Sequence, residues 1–143
     1  MRMDWTEIGR RLRPRRVAHA HCDIPCGIYD PHAAEIAAET VEKMVSLINE
    51  LGPDDDTPAW HNSFTRYIAV KEQHAELLKR EVLIIWGDYF KPPHLERFPQ
   101  IHETVWNLVK LASANKVSVD AAAAAELRVK TKEFADLFGE SKK

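Results

Sequence analysis

His21, Cys22 and Cys26 are the residues of this 143-residue chain whose types and spacing could do chemistry. Both cysteines stand four positions apart beside one histidine, in the run His21-Cys22-Asp23-Ile24-Pro25-Cys26-Gly27-Ile28-Tyr29-Asp30-Pro31. A four-residue step can place two thiols on one face of a helix. Pro25 opposes that, because its ring removes an amide donor and clashes with the preceding turn. Gly27 and the Asp30-Pro31 pair add further breaks. The run reads as an irregular hook with both sulfurs toward its inside. In a reducing compartment a close Cys/His cluster serves metal or redox chemistry; the plainer alternative is a pair of inert thiols. Two cysteines allow at most one disulfide, which is thin support for a secreted disulfide scaffold.

The elements that must position this hook are helical. From Pro31, a natural first helical residue with Asp30 as its cap, apolar residues recur at Ala37, Val41, Met44, Ile48 and Leu51. Gly52-Pro53 ends that helix, and Asp54 to Pro58 reads as a surface loop. A longer helix is expected from about His61 to Trp86, with Phe64, Ile68, Ala75, Leu78, Val82 and Ile85 on its apolar face. Pro92-Pro93 breaks the chain again. A third helix spans roughly Gln100 to Asn115, with Ile101, Val105, Leu108 and Ala112 inward. A fourth begins near Ser118 or Asp120 and carries Leu127, Phe134 and Leu137 or Phe138. No strand-like alternation and no internal repeat interrupt this pattern. The expected fold class is all-α, an antiparallel up-and-down four-helix bundle preceded by the hook.

Length suits one domain, and 45% hydrophobic content is ordinary for a helix-rich soluble protein. No apolar run approaches the ~20 residues of a membrane span. The formal net charge of −2 excludes a generally basic nucleic-acid binder. Charge is unevenly placed, however. Residues 1–20 hold six arginines against Asp4 and Glu7, a net of +4, which leaves −6 on the rest of the chain. The basic cluster Arg10 to Arg16 is followed only by Val17-Ala18-His19-Ala20, so the apolar region of a secretory signal is missing. Ala18-His19-Ala20 has the small-residue pattern of a processing site. The segment reads as a solvated basic tail, and also as a leader cut after Ala20.

The hook resembles the N-terminal hook of the nickel superoxide dismutase family, all positions but the tolerant Ile24 standing as in the family motif. Asp88-Tyr89-Phe90-Lys91-Pro92-Pro93-His94 is similar to a second block of that family, and Lys71-Glu72-Gln73 with Ala75-Glu76-Leu77 to a third. The resemblance covers His21 to the C-terminus. It implies a precursor with three parts: a removed leader at 1–20, a nickel hook at 21–31 and a bundle at 32–143. It implies one nickel ion per subunit, held in plane by the α-amine of His21, the amide nitrogen and sulfur of Cys22 and the sulfur of Cys26. The His21 imidazole becomes the axial ligand of the oxidised metal. An α-amine exists at residue 21 only after the bond following Ala20 is cut.

Such a donor set suits the implied reaction, which converts superoxide to oxygen and peroxide by Ni(III)/Ni(II) cycling. Thiolates and a deprotonated amide pull down a nickel couple that is far too oxidising in water, and divalent nickel favours square-planar N/S coordination. The resemblance further implies catalytic roles for Tyr29, Tyr89 and Lys91, a homohexamer, a processing protease and a possible nickel chaperone; the expected cytoplasmic location follows from the missing apolar region of a signal. For Tyr89 and Lys91 the plainer reading is a helix-end amphipath and a solvated charge. Two positions depart from the pattern. Where the best-known branch holds its axial imidazole with a glutamate and an arginine, this chain has Ala37 and His74; a lone histidine on a helix flank reads first as structural or solvated, and second as a partial replacement.

Rival readings are weaker. A di-iron bundle needs Glu-x-x-His pairs, and none of the seven histidines follows a glutamate at that spacing. A zinc site would need His94 and His102 to reach the cysteines at no recognisable spacing. The remaining alternative is a helical interaction domain with a regulatory Cys22–Cys26 disulfide.

Overall fold

A computed structural model describes residues 27–143. It contains α1 (His32–Glu50), α2 (Pro58–Ile84), a π-helical turn (Ile85–Tyr89), a short α3 (Pro92–Arg97), α4 (Ile101–Val117) and α5 (Ala121–Ser141). There is no β-strand among the described residues. The four long helices run up and down in a ring, α1 beside α2, α2 beside α4, α4 beside α5, and α5 back against α1. Paired contacts fix the antiparallel sense. Between α2 with its π-helical extension and α4, Trp86 meets His102 while Lys71 meets Asn115; between α1 and α5, Glu42 meets Arg128 while Glu35 faces Lys132. This is the antiparallel four-helix bundle expected from the periodicity.

The caps explain where the helices start. Pro31 already has helical φ and ψ, and Asp30 accepts from the His32 amide at 2.8 Å. Thr57 caps α2 by accepting from the Trp60 amide at 3.2 Å, with Pro58 at the first helical position. The second helix therefore begins at Pro58 rather than near His61: that proline opens the helix instead of closing the loop. Asp120 receives the amides of Ala122 and Ala123 and starts α5. Pro92-Pro93 likewise opens α3 instead of only breaking the chain.

The core is formed by Val41, Val45, Leu78, Val82, Ile85, Ile101, Leu108, Leu127 and Phe134, each almost wholly removed from water. Full burial of such a side chain stabilises by about 1.5–3 kcal/mol. On α1 the inward stripe is Ala34, Ala37, Ala38, Val41 and Val45, whereas Met44, Ile48 and Leu51 are half-buried. Three of the five buried positions are alanines, and the larger expected residues lie at the margin of the stripe. On α2, nothing before Lys71 is buried, so Phe64 and Ile68 are only half-covered. There the stacked Trp60 and Phe64 rings, 4.9 Å apart, shield one another.

Lys71 is the buried cation of the bundle. Its ammonium donates to the carbonyls of Asn115, Lys116 and Ser118, the last two at 2.9 Å. These are the orphan acceptors of the α4 C-terminus, where the helix dipole also favours a cation. Burial pushes the Lys71 amine below the usual lysine range. Buried Asn115 donates to the carbonyls of Leu111 and Ala123, tying the end of α4 to the start of α5.

Candidate functional site

The opposite end of the bundle gathers four segments. Gly27, at φ +96, takes a left-handed conformation that favours glycine, and leads to Tyr29 just ahead of α1. The second segment is the π-helical turn. One residue beyond the α-helical count re-aims the chain after it, and such turns often stand at functional sites. Here it carries Asp88 and Tyr89 to the bundle end before the chain extends at Phe90. The third segment is the start of α3. The Lys91 amide donates to His94 Nδ1 at 3.0 Å, and the His94 amide returns a bond to the Lys91 carbonyl at 2.8 Å. The fourth is the last turn of α5, with Phe138, Ser141 and Lys142.

Aromatic contacts hold these segments together. The ring of Tyr89 lies parallel to His94 at 5.1 Å, meets Phe138 obliquely at 4.7 Å and stands edge-on to Tyr29 at 5.8 Å. Its hydroxyl is 2.9 Å from Ser141 Oγ. Lys142 donates to the Tyr29 carbonyl at 3.1 Å and sits 4.2 Å from the centre of the Phe138 ring, a cation–π contact. Gly27, Tyr29, Asp88, Tyr89, Lys91, His94, Ser141 and Lys142 together line an open cavity of about 540 Å³. The cavity's charged lining is two lysines, Lys91 and Lys142, against one carboxylate, Asp88, a balance of one positive charge.

Tyr29, Tyr89 and Lys91 line one cavity. His21, Cys22 and Cys26 lie outside the described residues. Ala37 is fully buried in the α1 stripe, and His74 is half-buried, its Nδ1 donating to the Val70 carbonyl at 2.8 Å. Neither is among the residues that line the cavity. Among the described residues no group of three or more His, Cys, Asp or Glu side chains could hold a metal ion. Ser141 and Lys142 were not foreseen. The stripe Phe134, Phe138, Ser141 steps by four and three residues, so helical periodicity continued one turn further would have put that serine on the buried face.

Fold and cavity define the class: a four-helix bundle with an open, polar cavity beside the residues that precede its first helix. The chain belongs to the nickel-containing superoxide dismutase family, whose model matches residues 16–142. It is 39% identical over 136 residues to the superoxide dismutase [Ni] of Streptomyces coelicolor (strain ATCC BAA-471 / A3(2) / M145), covering 95% of this chain and 98% of that protein. The superoxide dismutase [Ni] of Streptomyces seoulensis is 38% identical over the same shares. Among solved structures, the native nickel superoxide dismutase at 1.30 Å superposes with a TM-score of 0.74 at 40% identity, covering 86% of this chain and 100% of that one. A structure with nickel ligation corresponding to the oxidised state gives 0.74 at 38% identity, over 85% and 98%. The protein is accordingly an oxidoreductase of this family, with nickel as its cofactor.

Proposed function

We propose that the active form begins at His21, after removal of residues 1–20, and that residues 21–31 then hold one nickel ion ahead of the bundle at 32–143. The ligands in this reading are the α-amine and imidazole of His21, the amide nitrogen and thiolate of Cys22, and the thiolate of Cys26. Donors of this kind suit nickel chemically, and the peptide that carries Cys26 is bonded directly to Gly27 on the cavity rim. When bound, nickel supplies the one-electron couple, alternating between trivalent and divalent states, that dismutation of superoxide requires.

The remaining work falls to the chain's own side chains. From residue 21 onward the chain is net −6, so long-range charge repels an anionic substrate. Lys91 and Lys142 offset that locally and draw superoxide into the cavity. Tyr29, buried against Tyr89, excludes bulk water from the inner wall and presents a phenol for orienting small oxygen species. Basic residues 1–20 lack the apolar core of an export signal, which supports maturation in the cytoplasm by a protease, with a nickel chaperone as possible partner. Half-exposed apolar residues such as Leu77, Leu83 and Trp106 leave surface for assembly into a homohexamer.

The observation that carries this reading is the paired-lysine, paired-tyrosine cavity at the point where the cysteine-bearing segment joins the bundle. Its test compares protein starting at His21 and supplied with nickel against the C22S/C26S variant. The first is expected to bind one equivalent of nickel and consume superoxide catalytically, and the second to do neither. Equal rates for the two would overturn the reading.

A further inference from the structure

Three oxygen atoms at the C-terminal end of α5 decide where one phenolic proton goes. Ser141 Oγ lies 2.6 Å from the Phe138 carbonyl and 2.9 Å from the Tyr89 hydroxyl. A serine hydroxyl has a single proton to give, and a carbonyl can only accept. Were that proton turned toward Tyr89, the serine and carbonyl oxygens would face each other at 2.6 Å, lone pair against lone pair, with nothing between them. The serine proton therefore lies on the Phe138 carbonyl. The contact with Tyr89 must then be made by the phenol, which donates to Ser141.

Tyr89 has little freedom to choose otherwise. His94 covers one face of its ring, Phe138 presses against it, and Tyr29 meets its edge. His94 is itself fixed, because its Nδ1 is occupied by the Lys91 amide. In the neutral ring the remaining proton then sits on Nε2. Ser141 is only 5% exposed, so water does not readily replace it as the acceptor. The phenol oxygen is left with lone pairs for the cavity and no proton for it.

We infer that Ser141 is a positioning residue for the dismutase reaction: it turns the Tyr89 proton away from the cavity, so that Tyr89 serves as a hydrogen-bond acceptor and not as the proton donor to reduced superoxide. This inference rests on the dismutase reading of the cavity. Other residues that line the cavity carry protons of their own: Lys91, Lys142, His94 and Tyr29. Tyr89 accepts from what is already protonated, a water or the peroxide product, and holds it in register with those donors.

The test reads the direction of that hydrogen bond separately from turnover. Ultraviolet resonance Raman difference spectra against Tyr89→Phe isolate the Fermi doublet of Tyr89, whose intensity ratio separates a donating phenol from an accepting one. Spectra are taken on the full chain and on processed, nickel-loaded protein. Wild type and Ser141→Thr, which keeps a hydroxyl on the helix, are expected to show the donor pattern. Ser141→Ala is expected to lose it, and in loaded protein to change turnover by about fivefold, the worth of one neutral hydrogen bond. Ser141→Thr should restore wild-type turnover. An accepting Tyr89 in wild type, or a doublet indifferent to Ser141→Ala, overturns the inference. Because the doublet needs neither nickel nor superoxide, it reports on Ser141 whether or not loaded protein dismutates.

Discussion

Lys91 and Lys142 reach the same cavity from opposite directions in the sequence, and only one of them was legible there. Lys91 sits in a block whose neighbours identify it. Lys142 stands one residue before the end of the chain, where a lysine ordinarily signifies a solvated terminus. What singles it out is tertiary: its ammonium bonds the Tyr29 carbonyl and lies over Phe138. Tyr29 and Tyr89 were recognisable by motif, but the direction in which Tyr89 shares its proton depends on Ser141, a residue 52 positions away. Replacing both lysines by methionine keeps the stems and removes the charge. The double variant is expected to lower kcat/KM for superoxide by about tenfold and to flatten its dependence on ionic strength. Stopped-flow measurements over a salt series check this. A rate loss with an unchanged salt slope would mean the lysines act by packing and not by charge.

At the scale of elements, the helical periodicity identified all four long helices but not how each is finished. The reading that started a helix at Pro31 applies equally to Pro58 and Pro92, each of which opens a helix, but the loop residues around them obscured it. Nor does periodicity show a π-helical turn, whose extra residue changes no residue type yet places Tyr89 on the cavity. Lys71 is the clearest case of chemistry that only packing reveals. On periodicity it falls on the α2 apolar stripe itself, three residues after Ile68 and four before Ala75, and the end of α4 with the Ser118 that follows supplies three carbonyls to its ammonium. Glu76 adds a weaker tie at the same place. Hydrogen bonds from Lys116 and Lys79 hold its carboxyl below the usual range, although it lies in water. Lys71→Met strips the cation from buried acceptors and is expected to cost about 3 kcal/mol, a fall in Tm of roughly 10 °C. Thermal melts of full-length protein measure it. A shift within a degree or two would show that water caps α4 as well as the lysine does.

For the whole molecule, the division of charge along the chain bears on when the metal can enter. The first twenty residues carry +4 and the remainder −6. In the uncut chain the nitrogen of His21 is an amide, part of the bond to Ala20, and has no free lone pair to give a metal. In the proposed maturation, cutting that bond would create an amine beside two thiols, adding a ligand and removing a basic segment in one step. Protein beginning at His21 is therefore expected to bind nickel at least roughly tenfold more tightly than the uncut chain, with release of protons from its ligands. Isothermal titration of both forms, in two buffers of different ionisation enthalpy, measures affinity and proton release together. A third form, with one alanine left before His21, separates the two effects of cleavage: it has lost the basic segment, and its free amine belongs to the wrong residue. If that form binds nickel as the His21 form does, removal of positive charge is what enables binding; if it binds as the uncut chain does, the position of the amine decides.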